Sequence, residues 1–272
     1  MLFILVGVPT LDLNPIFPMY LKLVLLLLLM TGFATVTNTK AEPTETAAPA
    51  GRLYEMRIYY CEPGRLDALL KRFRDHTMRI FEKHGMANVG YWVPIDNTDN
   101  KLVYVLSYPD LAARDASWKA FGSDPEWKKV ASDSEKDGKI VAKVDKIFMH
   151  ETDFSQPMKV KGSAADRVFE LRMYHTLPGK LPDLLARFRN HTVELFKKHG
   201  MTNLNYWLPD EIDNRLIYML AHDSEAAGKK SFDDFREDPK WVRARDESER
   251  NGKIVEKVES TFMKAADFSP IR

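Results

Sequence analysis

FEKHGMANVGYWVP, residues 81–94, decides the reading of this chain, because FKKHGMTNLNYWLP at residues 196–209 repeats it. Each copy runs from an apolar-striped segment through His-Gly into a stretch carrying a Tyr-Trp pair. That pattern predicts a helix closed by a left-handed glycine cap and followed by a strand. The register extends outward on both sides. Tyr54-Glu55-Met56-Arg57-Ile58-Tyr59 matches Phe169-Glu170-Leu171-Arg172-Met173-Tyr174 at an offset of 115. Phe73-Arg74-Asp75-His76-Thr77 matches Phe188-Arg189-Asn190-His191-Thr192 at the same offset. After Pro94 one residue drops out, and Asp124-Pro125-Glu126-Trp127 then matches Asp238-Pro239-Lys240-Trp241 at an offset of 114. A unit of about 105 residues has the size of a small domain, and two copies are too few for a solenoid. The chain therefore reads as a leader and linker over 1–50, a first domain over 51–156, a linker over 157–166 and a second domain over 167–272.

Within a unit, residues 53–60 alternate with period two. Tyr54, Met56 and Ile58 share one face and Glu55, Arg57 and Tyr59 the other, as in a strand. Leu66, Leu69, Leu70, Phe73, Thr77, Ile80, Phe81 and His84 recur at helical spacing, and Gly85 closes that helix. Residues 88–93 and 102–108 read as strands. Asp110 and Asp124 are placed as helix N-caps, the second followed by Pro125 at the first helical position. Residues 140–149 form a last strand. The order β-α-β-β-α-β is ferredoxin-like, which makes the class α+β. A sheet covered by helices on one face leaves the other bare, so the tandem sheets are expected to close on each other as an intrachain α/β barrel. The Glu-Arg-Tyr faces are then expected to line its interior.

The chain carries 40 Lys and Arg against 39 Asp and Glu, a balance that argues against a nucleic-acid-binding surface. The single cysteine, Cys61, allows no internal disulfide and reads as a strand-end packing residue, since the second copy has Thr176 there. In the leader, Lys22 precedes the apolar run Leu23–Met30, and small residues follow. This predicts a signal peptide, with Met19 as the natural start and export to the periplasm or extracellular space. The apolar run is shorter than the roughly 20 residues of a spanning helix, so cleavage would leave no membrane span. The alternative is a membrane anchor formed by an uncleaved leader. Residues 42–50, EPTETAAPA, read as a disordered linker.

The candidate ligand-binding residues are the expected barrel-lining set: Glu55, Arg57, Tyr59, Trp92 and Tyr104, with Glu170, Arg172, Tyr174, Trp207 and Tyr218. Arg57 and Arg172 lead, because a guanidinium on a strand offers fixed donors to an anion. The competing reading is a structural ion pair with Glu55 or Glu170. Tyr59 and Tyr174 could orient a ligand or simply line the wall, and Tyr104 and Tyr218 could be core aromatics. Trp92 and Trp207 are placed inside on the argument that Asn88 shares a face with Trp92, and Asn203 and Asn205 with Trp207. His76 and His191 are weaker candidates: histidine is a natural base near neutral pH, but here a helix histidine packed at the core or its boundary. His84 and His199 end their helices, where positive charge suits the dipole. The spacing of His76 and His84 lacks a third metal ligand, so no metal is expected, and no nucleophile elbow or phosphate-binding glycine loop occurs.

YEMRIYYCEPGRLDALLKRFRDHTMRIFEKHGMANVGYWVP, followed by LVYVLSYPDLAARDASWKAFGSDPEWKKV and TDFS, resembles the NIPSNAP domain, as does the second copy. The resemblance covers nearly everything after residue 51. It implies a dimeric α/β-barrel fold related to the antibiotic-biosynthesis monooxygenases, without an agreed chemistry. Animal members are mitochondria-associated and linked to vesicle traffic and mitophagy signalling, a setting from which an exported chain departs. The second copy departs after its third strand, where HDSEAAGKKSF replaces YPDLAARDASW, so that Tyr108 becomes His222 and Arg114 becomes Gly228. The resemblance points to a small-molecule-binding barrel or a cofactor-independent enzyme. Some related barrels hold haem, though no motif here calls for one and no cofactor is expected. The alternative is a non-enzymatic scaffold that docks partners on its outer helices. Whether the chain is an enzyme, and whether it pairs into a homo-oligomer, stays open at this level.

Overall fold

The computed structural model describes residues 51–160 and 167–271. The leader, its cleavage and the 42–50 linker lie outside the described residues. Both repeats fall within one compact unit, Pro49–Arg272.

The first repeat contains β1 (Leu53–Cys61), α1 (Leu66–Arg72), α2 (Met78–Lys83), β2 (Ala87–Pro94), β3 (Lys101–Tyr108), α3 (Leu111–Ser123), α4 (Pro125–Ser134) and β4 (Val141–Glu151). The second contains β5 (Val168–Thr176), α5 (Leu181–Arg187), α6 (Val193–Lys198), β6 (Thr202–Pro209), β7 (Arg215–His222), α7 (Glu225–Glu237), α8 (Pro239–Ser248) and β8 (Val255–Ala265). The eight strands close into an antiparallel barrel in the order β1-β3-β2-β8-β5-β7-β6-β4. Within each repeat the ladders are long; β1 and β3 pair from Leu53↔Tyr108 to Tyr60↔Lys101. The seams between repeats are short: Trp92↔Ala265 to Pro94↔Met263 on one side, and Met149↔Pro209 to Glu151↔Trp207 on the other. Closure leaves no free edge between the two sheets.

Capping follows the sequence chemistry. The Asp110 side chain accepts from the Ala113 amide at 2.7 Å, and Asp124 accepts from the Glu126 amide at 2.8 Å. Gly85, at φ 78°, ends α2, and the Met86 amide returns to the Phe81 carbonyl at 3.0 Å. Between α1 and α2, residues Phe73–Thr77 form a π turn, and the Thr77 hydroxyl donates to the Arg72 carbonyl at 3.1 Å. Phe188–Thr192 repeats this turn. The wider π turn rotates the helix face. Phe73 and Thr77 are therefore buried, while His76 and His191 stand exposed rather than packed at the core as expected. His84 ends α2, and its ring nitrogen meets the Asp124 carboxylate at 2.7 Å, tying that helix end to the N-cap of α4.

Three cores divide the apolar residues. The barrel interior draws Tyr54, Met56, Trp92, Val105 and Met149 from the first repeat, with Phe169, Leu171, Trp207, Met219 and Met263 from the second. Two outer cores lie between sheet and helices, one per repeat, around Phe73, Phe81 and Tyr104 and around Phe188, Phe196 and Tyr218.

This arrangement reverses the expected assignment of the β1 and β5 faces. Tyr54 and Met56 point into the barrel, whereas Glu55, Arg57 and Tyr59 point outward beneath the helices; Glu170, Arg172 and Tyr174 do the same. Tyr104 and Tyr218 also lie in the outer cores rather than along the barrel interior. Alternation separates two faces without saying which is inner. A closed barrel seals its interior from water, so it takes the apolar face, and the charged face goes where helix side chains and solvent can satisfy it. Trp92 and Trp207 are inside, but not by the face argument. Register shifts between Asn88 and Gly90, and between Asn203 and Tyr206, place Asn88 and Asn203 on the helix side, where each accepts the hydroxyl of Tyr91 or Tyr206.

Candidate functional site

Apolar side chains from both halves pack together in the interior. Met56, Trp92, Met149, Trp207, Met219 and Met263 are each 0% exposed and fill it from both halves. His76 and His191, the helix histidines, are exposed outside the barrel.

The Glu-Arg candidates form two buried clusters under α3 and α7. In the first, the Glu55 carboxylate accepts from Arg57 Nη1 at 2.6 Å, Arg114 Nη2 at 2.9 Å and Nε at 3.0 Å, Trp118 Nε1 at 3.0 Å and the Tyr108 hydroxyl at 3.2 Å. Arg57 lies over the Trp118 ring at 4.3 Å. Burial alone would raise the Glu55 carboxyl, but the Arg114 hydrogen bonds and the charges of Arg57 and Arg114 outweigh it and hold the group below the usual carboxylate range. In the second cluster, Glu170 accepts from Arg172, from Ser260 Oγ at 2.6 Å and meets His222 Nε2 at 2.9 Å. Burial again pushes its carboxyl up, and His222, Arg172 and Ser260 together bring it below the ordinary value. Each arginine thus forms the ion pair that competed with a ligand role. Tyr59 packs edge-on to Phe73 at 6.0 Å, and Tyr174 to Phe188 at 5.5 Å.

A cavity of about 580 Å³ opens instead at the barrel end where β1 begins and β3 and β4 finish. Tyr54, Glu151, Ser155 and Asn205 supply its polar wall, and Val89, Met158 and Ile271 are among its apolar lining. Asn205 is 3% exposed. Its amide nitrogen donates to the Glu151 carboxylate, which Ser155 Oγ also reaches at 2.9 Å. Its Oδ1 has no hydrogen-bond partner among the described residues. Burial, and then the Glu151 charge, push the Tyr54 phenol up to about 12, so it remains a proton donor across physiological pH.

This polar wall belongs to one seam. Under the repeat register, Tyr54, Glu151 and Asn205 correspond to Phe169, Ala265 and Gly90. At the other seam the Trp92 ring takes the space over Gly90, where an added Cβ would sit 2.3 Å from it. None of Tyr54, Glu151 and Asn205 was a candidate from sequence. The sequence signal for them lies in the mismatches between the two copies.

The NIPSNAP family model matches residues 54–156 and 169–270. The chain belongs to the NIPSNAP family. Among curated relatives, the NIPSNAP chain is similar to human Protein NipSnap homolog 3B, with 24% identity over 258 residues that cover 86% of this chain and 97% of the relative. Protein NipSnap homolog 3A of Pongo abelii is 28% identical over 204 residues, covering 73% and 78%. Among solved structures, a proposed monooxygenase of Fusobacterium nucleatum superposes with TM-score 0.55 at 10% identity, covering 81% of this chain and 94% of that one. An anthrone oxidase-like protein gives TM-score 0.53 at 9% identity, covering 80% and 92%. At these identities the likeness concerns the fold.

Proposed function

We propose that this NIPSNAP chain binds a small molecule in the cavity at the β4–β6 seam, through hydrogen bonds to Asn205, Glu151 and Tyr54. The observation that carries the reading is Asn205, which lines a cavity of about 580 Å³ and whose Oδ1 is a buried acceptor without a partner among the described residues. A buried acceptor left unpaired costs about 1–3 kcal/mol, which a ligand donor would recover. The ligand then carries a hydroxyl or N–H group toward Asn205 and Glu151, and an apolar body against Met158 and Ile271. The oxidase and monooxygenase names of the fold relatives are compatible with an organic ligand. Tyr54 holds its proton, which suits it to orienting a ligand rather than to acting as a base. The element order and the strand sequences β4-β1-β3-β2 and β8-β5-β7-β6 support reading the halves as tandem ferredoxin-like domains, 51–156 and 167–272, that reproduce within one chain what paired copies build elsewhere.

The test is native mass spectrometry of the chain purified from its own host, with Asn205→Leu purified alongside. A small molecule retained by the natural chain and lost from Asn205→Leu, with both folded by circular dichroism, is the expected result. If the natural chain retains nothing, and a fragment screen by ligand-observed NMR gives no hit sensitive to Asn205→Leu, the reading fails.

A further inference from the structure

The cavity at the β4–β6 seam is bordered by two segments that are equivalent in the repeat, residues 155–158 after β4 and residues 270–271 after β8. Each follows an Asp-Phe pair that docks on the other repeat. Arg189 Nε and Nη2 donate to Asp153, both at 2.6 Å, and Phe154 packs against Tyr206 at 5.4 Å. Arg74 Nε and Nη2 donate to Asp267 at 2.8 and 2.7 Å, and Phe268 packs against Tyr91 at 5.5 Å. The serine that follows repeats as well. The Tyr206 amide donates to Ser155 Oγ at 3.0 Å, and the Tyr91 amide to Ser269 Oγ at 2.9 Å.

From the serines onward the two segments differ in how they are seated. Ser269 is 1% exposed, and Ile271, at 4%, belongs to the barrel-interior core. Ser155 is half-buried, and Pro157, the counterpart of Ile271, is exposed. A segment with little buried contact opens at a lower free energy than one seated in a core. We propose that residues 155–158 form a lid on the cavity, hinged at the buried Phe154 and latched by Ser155, while residues 270–271 are fixed wall. This rests on the cavity being the ligand site, since a lid elsewhere would gate nothing. Ser155 is the latch because its hydroxyl works in both directions: it accepts from the Tyr206 amide and donates to Glu151 at 2.9 Å. The Asn205 amide donates to the same carboxylate. The seated segment has no such latch, because Ala265 stands where the first repeat has Glu151. When the lid lifts, Glu151 gives up the Ser155 donor and can accept the hydroxyl or N–H of an entering ligand. The bond that holds the lid down thus occupies the place a ligand donor would take.

Cavity access is read by thiol alkylation of the full chain, which needs no ligand, so failure of the lid and failure of the ligand site are told apart. Ser107 lines the cavity at 4% exposure, and Ser107→Cys places a thiol there. The buried Cys61 of the same chain labels only on wider unfolding and serves as the internal reference. Iodoacetamide labelling of the two positions is followed by peptide mass spectrometry. Adding Ser155→Ala to the Ser107→Cys chain should speed labelling at position 107 about fivefold or more, with Cys61 unchanged. Ser155→Thr keeps the hydroxyl and should restore the slow rate. An unchanged rate at position 107 in Ser155→Ala overturns the proposal, as does a rise there matched by Cys61, which would be unfolding rather than lid motion. Ser269→Ala makes the equivalent change in the seated segment. If it speeds position 107 as much as Ser155→Ala, with Cys61 still unlabelled, the asymmetry is absent and the proposal fails.

Discussion

Replacing Arg114 with alanine is the sharpest perturbation of the outer clusters. Arg114 donates to both oxygens of Glu55, a carboxylate with 0% exposure. Hydrogen bonds to charged groups are worth about 1.5–3 kcal/mol each, and breaking a buried ion pair outright costs about 3–5 kcal/mol. Arg57, Tyr108 and Trp118 still hold Glu55 after the change, so its charge is not orphaned. The Arg114 side chain is itself 15% exposed, and water can replace part of what is lost. The expected loss is therefore about 2–3 kcal/mol at pH 7, below the cost of breaking a fully isolated pair. Urea unfolding followed by circular dichroism reads this as a lower midpoint with an unchanged slope. The pH dependence supplies a second check. Burial raises the Glu55 carboxyl and its arginine partners more than offset this, so the folded pKa lies below the ordinary value. Such a group contributes stability that is complete above the unfolded carboxylate value of about 4.3 and is lost as pH falls through the folded value. The gap between the natural chain and Arg114→Ala should be full at pH 7 and narrow on acidification below about pH 4. Equal midpoints at pH 7, or a gap indifferent to acid, would refute the account of Glu55 as an anion held by Arg114.

Gly90→Ala places a methyl 2.3 Å from the Trp92 ring, which is fully buried and cannot yield, so a loss of about 1–3 kcal/mol is expected in the same urea assay. Gly122→Ala in α3, where an added Cβ meets nothing within 4 Å, should instead be neutral or gain up to about 1 kcal/mol. Burial pushes the Cys61 thiol up to about 11, so alkylation by iodoacetamide at pH 8 should follow unfolding, and rapid labelling of the folded chain would contradict its placement. A polypeptide of residues 51–156 alone loses the partners of β2 and β4 and exposes Met56 and Trp92, so sedimentation should find it as a homodimer. A stable folded monomer would count against the halves as domains that need each other's sheet.

Much of the architecture was legible in the residues. Repetition of the 81–94 block located the two halves, period-two alternation located β1 and β5, and Asp110, Asp124 and Gly85 marked helix ends through local hydrogen bonds and a positive φ. These signals act within a few residues, so they survive without knowledge of the rest. Other readings did not survive. The π turns at Phe73–Thr77 and Phe188–Thr192 turned His76 and His191 out to solvent, and the register shifts in β2 and β6 broke the face assignment of Asn88 and Asn203. One extra residue in a turn or a strand rotates everything beyond it, and plain periodicity carries no mark of it.

The sequence by itself determined the duplication, the strand and helix order, and the presence of a charged and an apolar face on β1 and β5, because these follow from local sterics and spacing. Only the tertiary structure decided which face looked inward. Closing eight strands into a barrel makes a space without water, so the interior took Met56, Trp92 and their counterparts and expelled Glu55, Arg57, Glu170 and Arg172 to the helices. The tertiary structure also brought Tyr54, Glu151 and Asn205 together. They come from three strands and from both repeats, and it is barrel closure at the β4–β6 seam that makes them neighbours.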